Sequence, residues 1–189
     1  MDRRYIQPGF IIVATFTLTL TAGCTGYSNL PLEEEINSLT PSEREKNVIT
    51  LPEPNLKGNT SVEEALQGRR SVRVYAEVPL TLDDLGQILW AAQGVTDTRG
   101  YRTAPWAGAL YPLEIYIAVG DVVGLDPGVY HYLSDGHRLT QTNGGDQRMY
   151  LQEAAVNQTS VVDAPATIAI TAVPDRPTAK YGERGLHYI

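Results

Sequence analysis

Three short stretches of the chain contain residues whose types and spacing could do chemistry. They are R-R-S-V-R-V-Y at Arg69–Tyr75, A-P-W-A-G-A-L-Y-P at Ala104–Pro112 and K-Y-G-E-R at Lys180–Arg184. The first holds three arginines and a serine within five residues, and guanidinium groups match phosphate oxygens bidentately. The small residues of the second would let backbone N–H groups approach a flat or anionic ligand closely. The third sets a lysine beside a tyrosine, and both can transfer protons in a suitable site. Together the stretches predict a phosphate-bearing cofactor and a redox reaction.

Predicted helices position the first two stretches. A capping box at Ser61–Glu64 begins a short helix that ends at Gly68, directly before the arginines. Thr81 caps a second helix, whose apolar residues recur at helical spacing until Gly94. The second stretch lies in the loop that follows this helix, over Val95–Ala109. The arginines and the loop are therefore each expected to begin where a helix ends.

The second half of the chain reads as strands and helices in alternation. Leu113–Val119 has the apolar content of a buried strand, and turn residues then mark a hairpin. The other predicted elements are the hairpin strands Val129–Leu133 and Arg138–Thr142, a helix over Gln147–Gln158, a strand over Thr167–Val173 and a helix that begins after Pro177. The chain of 189 residues has room for one domain with appendages.

The stretches occur in an order that resembles a known family. Together with Leu80–Gly94, Leu113–Val119 and P-G-V-Y-H-Y at Pro127–Tyr132, they resemble the nitroreductase-like flavoproteins. The likeness is closest to the SagB-type branch, which includes the azoline (thiazole/oxazole) dehydrogenases, and it runs from about Ser61 to the last residue. It implies an α+β fold with a central mixed sheet flanked by helices. It also implies an FMN-dependent oxidoreductase in which hydride passes through the flavin.

The resemblance assigns cofactor contacts to two of the stretches. The residues that match the family's R-x-S-x-R/K element, which contacts the FMN phosphate, ribityl chain and ring edge, are Arg69, Arg70, Ser71 and Arg73. The residues that match a P-S-A loop lying against the flavin ring are Pro105, Trp106 and Ala107, with Trp106 where serine is usual. The residues alone leave two alternatives open, since the arginines could form a solvated helix end and Trp106 could be a core aromatic.

Lys180 and Tyr181 match a pair that assists proton removal from the substrate in azoline dehydrogenases. A lysine desolvated beside a cation such as Arg184 would become a usable base. The pair could equally be solvated groups at the start of a helix. The resemblance further implies a homodimer that builds each flavin site from both subunits, a small-molecule or peptide substrate and a possible NAD(P)H donor. The three histidines have no metal-ligand spacing, so no metal site is expected.

The C-terminal end of the likeness suggests an incomplete domain. In the family, a long helix and further elements follow the K-Y-x-x-R segment, with part of the phosphate site and a helix that forms the dimer. The sequence stops at Ile189, so a C-terminally truncated fragment or a degenerate copy is expected. Two alternatives to an active enzyme stay open, an inactive remnant and a membrane-tethered binding module that has lost flavin.

The first 24 residues resemble a lipoprotein-type export signal. Arg3 and Arg4 precede the apolar, threonine-containing segment Phe10–Ala22, which is too short to span a membrane comfortably. Cys24, the only cysteine, ends L-T-A-G-C, a lipobox-like sequence with Thr21 where leucine is usual. Lipidation of Cys24 and an extracytoplasmic, membrane-anchored location are therefore expected. An ordinary signal peptide with a chance cysteine and an uncleaved anchor are the alternatives.

Residues 25–60 are predicted to be an extended linker before a domain over residues 61–189. The linker is rich in proline and acidic residues, although Val48–Pro52 could lie along the domain as an edge and Thr40 could cap a short helix to Lys46. The net charge of −7 argues against nucleic acid as a partner, because neutralising phosphates requires a basic surface. The cluster at Arg69–Arg73 is thus expected to be a local site in an acidic protein.

Overall fold

A computed structural model describes residues 48–189 and the backbone of residues 14–15. Its centre is one six-stranded sheet with the strand order β1-β6-β3-β4-β5-β2. The strands are β1 Ala14–Thr15, β2 Val48–Thr50, β3 Leu113–Val119, β4 Gly128–Leu133, β5 Arg138–Gly144 and β6 Ala166–Ala172. Every pair is antiparallel except β1 with β6, which is parallel, so the sheet is mixed.

Five helices accompany the sheet in the described part of the chain. They are α1 Val62–Gly68, α2 Leu82–Gln93, α3 Arg148–Ala154, α4 Ser160–Asp163 and α5 Asp175–Tyr181. Two 3-10 segments, Ala107–Ala109 and Gly182–Tyr188, lie in the loop before β3 and directly after α5. The predicted strand at Leu113–Val119 and the predicted hairpin are confirmed, the first with the bounds given by its sequence pattern.

Side-chain caps explain where the first two helices begin. Ser61 Oγ accepts a hydrogen bond from the Glu64 backbone at 3.1 Å, and the Glu64 carboxylate accepts one from the Ser61 backbone at 2.8 Å. Thr81 Oγ1 accepts from the Asp84 backbone at 3.1 Å. The bonds to Ser61 Oγ and Thr81 Oγ1 each satisfy an N–H group that has no partner inside its helix. Both predicted helices are confirmed, and α1 relies on its cap because it buries none of its side chains.

The apolar core lies between α2 and the sheet. Leu85 and Leu89 of α2 are buried in one cluster with Ile115, Ile117 and Val119 of β3. Residues four apart on a helix share a face, and alternate residues of a strand share a side of the sheet. The two spacings therefore place these leucines, isoleucines and valine in contact. Their packing holds α2 against β3.

Two predicted helices in the second half were wrong in extent. The predicted helix over Gln147–Gln158 ends already at Ala154, and Val156 and Asn157, with φ of 58° and 55°, leave the right-handed helical conformation. The last helix begins at Asp175, two residues before Pro177. Pro177 is tolerated there because the first N–H groups of a helix have no acceptor within it.

The N-terminal predictions fall mainly outside the described residues. The export signal, Cys24, the possible helix after Thr40 and most of the linker are among these residues, although β1 lies within the predicted signal. Val48–Thr50 pairs with β5 at the sheet edge, as the prediction for Val48–Pro52 suggested, and Leu51 is buried in the core. In the part of the chain that the structure describes, no helix is long and apolar enough to cross a membrane.

Candidate active site

The loop between α2 and β3 is held at its beginning by backbone hydrogen bonds. The Thr96 N–H donates to the Tyr101 carbonyl at 2.7 Å, and the Thr103 N–H donates to the Gly94 carbonyl at 2.9 Å. Thr103 Oγ1 also donates to the Trp90 carbonyl at 3.2 Å, in the last turn of α2. These bonds hold the start of the loop that contains Ala104–Pro112 against the end of α2, a helix that packs in the core.

The middle of this loop has an unusual backbone. Gly108 has φ of 73°, Ala109 has φ of 54° and Tyr111 has φ of 42°. For a residue with a β-carbon, the left-handed conformation costs about 1–2 kcal/mol. Strained backbone of this kind clusters at functional sites, where the surrounding structure maintains it. The loop is therefore a candidate binding segment on geometric grounds alone.

The absence of a side chain at Gly108 brings the second and third stretches together. A β-carbon at this position would lie 2.6 Å from Tyr181 Oη and 2.8 Å from Lys180 Nζ. Lys180 is exposed and Tyr181 is half-buried. Lys180 Nζ also lies 5.4 Å from the centre of the Tyr181 ring. The two proton-bearing groups of the third stretch thus reach the glycine of the second.

The sequence suggested that Arg184 lies beside Lys180, but the described hydrogen bond of Arg184 goes to another residue. Its guanidinium donates to Tyr188 Oη at 3.1 Å, and the Tyr188 ring meets the Tyr181 ring edge-on with centroids 5.3 Å apart. The 3-10 segment that follows α5 therefore supports the Tyr181 ring through Tyr188.

A cavity of about 470 Å³ opens beside the loop. It is lined by Tyr101, Arg102, Pro105, Trp106, Gly108, Ala109 and Tyr111. Two of the three residues matched to the ring-contacting loop, Pro105 and Trp106, thus line this cavity, and Ala107 is exposed next to them. Trp106 Nε1 is buried and has no hydrogen-bond partner among the described residues. A buried N–H without an acceptor is a site where a ligand atom could accept a hydrogen bond.

The arginine cluster lies elsewhere. Arg69, Arg70, Ser71 and Arg73 are exposed after α1, and none of them lines the loop cavity. Arg70 caps the helix by donating to the carbonyls of Gln67 and Arg69 at 3.0 and 2.7 Å. The guanidinium groups of Arg69 and Arg73 make no hydrogen bond or ion pair with another described residue. Their donors are therefore available, but within one chain the structure does not bring the first stretch to the other two.

A charged cluster under the loop was missed by sequence reasoning. Glu114, the second residue of β3, is 2.6 Å from His131 Nε2 and forms an ion pair with Arg176 of α5. Arg176 also donates to the Tyr111 carbonyl at 2.8 Å, which fixes the end of the strained loop. The residues are far apart in the sequence, so no motif joins them. The only indication in the sequence was a charged residue in an otherwise apolar strand.

The electrostatics of this cluster keep Glu114 ionised. Burial alone would raise the pKa of Glu114, but its hydrogen bonds with His131 and Arg176 and the charge of Arg176 lower it below its ordinary value. The His131 ring stacks on the Tyr116 ring with centroids 4.7 Å apart. The cluster is thus a rigid link between β3, β4 and α5, and it connects α5 to the loop near Gly108.

A family model and one relative both indicate the nitroreductase family. The nitroreductase family model matches residues 66–189. A protein of Methanocaldococcus jannaschii named as a nitroreductase is 46% identical over 128 residues, which are 68% of this chain and 65% of that protein. The trifolitoxin-processing protein TfxB of Rhizobium leguminosarum is 38% identical over 69 residues, 32% of this chain and 18% of that protein. The chain therefore spans less than two thirds of the length of these relatives.

A solved structure supports the same fold. The crystal structure of a protein from Ralstonia eutropha described as a nitroreductase has a TM-score of 0.62 and 29% identity to this chain. The match covers 75% of this chain and 63% of that one. Together with the observed sheet and helices, it confirms the fold class predicted from the sequence.

Proposed function

Because this chain belongs to the nitroreductase family, we propose that it is a flavin-dependent oxidoreductase that uses FMN. The observation that carries the proposal is the approach of Tyr181 Oη and Lys180 Nζ to the position of a Gly108 side chain. Two stretches that are far apart in the sequence thereby place proton-bearing atoms against a strained, open loop. Such an arrangement suits a reaction in which a substrate loses or gains a proton together with a hydride.

The residues present fit FMN by their chemistry. A phosphate requires several charge-assisted donors, and Arg69, Ser71 and Arg73 offer exposed side-chain donors that no other described group engages. A flavin ring requires a flat surface and hydrogen-bond donors at its edge. The loop cavity offers the faces of Pro105 and Trp106, and Trp106 Nε1 is a donor without an acceptor among the described residues.

Bound FMN would supply the redox chemistry by taking up and returning a hydride. The chain's own residues would bind and orient it, with the arginine cluster at the phosphate and the loop against the ring. Tyr181 Oη and Lys180 Nζ would hold or take up the proton that leaves the substrate. Glu114 and Arg176 would keep the loop in position through the bond from Arg176 to the Tyr111 carbonyl.

A homodimer would explain why the arginines and the loop are apart in one chain. The surface around the arginines is apolar as well as charged, since Leu66, Val72 and Val74 are 68%, 43% and 87% exposed. Exposed apolar residues beside an anion-binding cluster are suited to a subunit interface. In such a dimer, the arginines of one copy and the loop of the other would contribute to one flavin site. NAD(P)H is the proposed electron donor.

The narrower assignment to the SagB-type branch is supported by the similarity to TfxB, which is named as a trifolitoxin-processing protein. The adjacent Lys180 and Tyr181 at the loop support the same assignment, because a dehydrogenase needs a proton acceptor as well as a hydride acceptor. The proposed substrate is therefore a small molecule or peptide that is dehydrogenated.

Titration of the purified chain with FMN and with riboflavin tests the proposal. Arg73→Ala should weaken FMN binding about ten- to a hundredfold, because it removes a charge-assisted contact to phosphate. Riboflavin lacks the phosphate, so its binding should change far less. Lys57→Ala is the control, since Lys57 is an exposed cation outside both the arginine cluster and the lining of the loop cavity.

FMN binding and NAD(P)H-dependent reduction of a nitroaromatic dye would support the proposed function. A folded chain that binds neither flavin would contradict it and favour a binding module without cofactor. Equal FMN affinity of the wild type and Arg73→Ala would remove Arg73 from the proposed phosphate site.

A further inference from the structure

A second cavity lies between the start of β3, the β4–β5 hairpin and α5. The strained residues Gly108, Ala109 and Tyr111 are not in its lining. Its volume is about 320 Å³, which is in the range of small-molecule sites. Leu113, Ile115 and Leu133 contribute apolar wall. Three arginines, Arg102, Arg138 and Arg176, line the same cavity.

Two of these arginines lack a described counter-ion. Arg138 Nε donates to the Asp135 carbonyl at 3.3 Å, and its other guanidinium N–H groups have no hydrogen-bond partner among the described residues. Arg102 donates to Gln93 Oε1 at 3.4 Å and lies over the Tyr111 ring at 4.6 Å. Neither forms an ion pair with a described carboxylate.

The carboxylates of the cavity do not neutralise this charge. Glu114 is occupied by Arg176 and His131. Asp135 is exposed at the hairpin turn, where water screens its charge. Arg102 and Arg138 therefore line the cavity without forming an ion pair with any described carboxylate, in a chain whose net charge is −7.

The turn before β5 places Arg138 in this position. Gly136 has φ of 73°, and a β-carbon there would lie 2.8 Å from Arg138 Nε. A side chain at position 136 would thus require Arg138 to move. The left-handed Gly136 therefore leaves room for the Arg138 side chain, which lines the cavity.

We propose that this cavity binds a small organic carboxylate with an apolar body. Guanidinium groups match a carboxylate bidentately, and Arg102 and Arg138 have the free N–H groups to do so. The apolar side chains of β3 and β4 would cover the body of the ligand. A carboxylate with an apolar body suits the site, because unpaired guanidinium groups and apolar side chains line the same cavity.

Arg102 gives this site a defined relationship to the loop. It lines both the carboxylate cavity and the loop cavity. A ligand bound to Arg102 would lie next to the segment that contains Gly108, so ligand binding should affect the loop cavity. The binding site itself does not depend on the flavin chemistry proposed above.

Calorimetric titration of the purified chain with 2-naphthoate tests the proposal, with 2-naphthamide as the neutral probe of the same shape. The carboxylate should bind and the amide should bind at least about tenfold more weakly. Arg138→Gln should weaken 2-naphthoate binding about tenfold or more, because one charge-assisted contact is lost. Arg99→Gln, which changes an exposed arginine outside the cavity, should leave the affinity unchanged.

Thermal melting of each variant separates loss of a contact from loss of folding. Arg138→Lys keeps the charge and should retain part of the affinity if Arg138→Gln is folded but weak. No binding of 2-naphthoate by the folded wild type would overturn the proposal. Equal binding of acid and amide, or equal affinity of the wild type and folded Arg138→Gln, would overturn it as well.

Discussion

Tyr181 Oη occupies the space that a side chain at position 108 would need. A β-carbon on Gly108 would come within 2.6 Å of this oxygen, and real β-carbons essentially never make such contacts. Glycine at position 108 is therefore required both by the left-handed backbone and by the group across from it. A substitution at position 108 would therefore have two effects, strain in the local backbone and displacement of Tyr181, which is distant in the sequence.

Gly108→Ala should lower stability and also the oxidoreductase activity proposed for the chain. Alanine in the left-handed conformation costs about 1 kcal/mol, and the added methyl group would displace Tyr181 or Lys180. Gly100→Ala is the matched control, since Gly100 has φ of 83° and a β-carbon there would have nothing within 4 Å. Urea unfolding should show a loss for both variants, with the larger loss for Gly108→Ala. Equal activity of the two variants would show that the approach of Tyr181 has no role in the reaction.

The stability of the fold should fall as the pH decreases below about 6.5 because of His137. Burial lowers the pKa of His137, and the Pro52 backbone together with the charge of Glu53 offsets this only in part. In that pH range the unfolded chain binds a proton that the folded chain does not, so acid favours unfolding. The free energy of unfolding should thus fall between about pH 6.5 and the lower pKa of the folded state.

Urea unfolding between about pH 5 and pH 8 measures this dependence. The His137→Gln variant should show a shallower slope, although it also loses the 2.8 Å bond between Tyr132 Oη and His137 Nδ1. His187→Gln, at an exposed position, should keep the slope of the wild type. An unchanged slope in His137→Gln would assign the acid sensitivity to other groups.

Arg148→Met should destabilise the fold by roughly 2–4 kcal/mol. The Arg148 side chain is only 13% exposed, and it donates to the carbonyls of Val162 and Ala164 as well as to Asp146. Methionine would fill much of the volume but leave both carbonyls without this donor. Arg99→Met should change the unfolding midpoint little, because Arg99 is 69% exposed. Chemical unfolding monitored by circular dichroism gives the comparison.

Lipidation of Cys24 is a prediction from the sequence, and its residue lies outside those the structure describes. The expressed wild type should partition with membranes, and Cys24→Ser should be released or remain an unprocessed precursor. Two acyl chains would be needed for stable attachment. Fractionation and intact-mass measurement check this prediction. Full processing of both forms with equal soluble recovery would contradict it.

Local rules in the sequence were sufficient for the elements that position the site. The caps at Ser61 and Thr81 and the apolar run at Leu113–Val119 act over a few residues, and they predicted α1, α2 and β3. The early end of the helix predicted to reach Gln158 was not predictable in this way, because a valine with positive φ at position 156 opposes its own preference and needs tertiary support.

The site itself was only partly accessible from the sequence. The glycine and the Lys-Tyr pair were recognised as separate motifs, but their contact depends on how α5 packs near the loop. That packing rests on the ion pair of Glu114 with Arg176 and on the bond from Arg176 to the Tyr111 carbonyl. An interaction between residues so distant in the chain leaves no spacing to recognise. The strength of the ion pair depends on how deeply the two side chains are buried in the folded protein, and the sequence does not show this.

The short strand β1 has a consequence for the mature protein if Cys24 becomes its first residue. Ala14 and Thr15 pair in parallel with Ala169 and Ile170 of β6. Processing at Cys24 would remove β1, so the precursor and the mature form would have sheets of different width. The main-chain groups of β6 that β1 had occupied would become an open template for another strand. If the predicted processing occurs, this edge of β6 would therefore be paired with β1 only in the precursor.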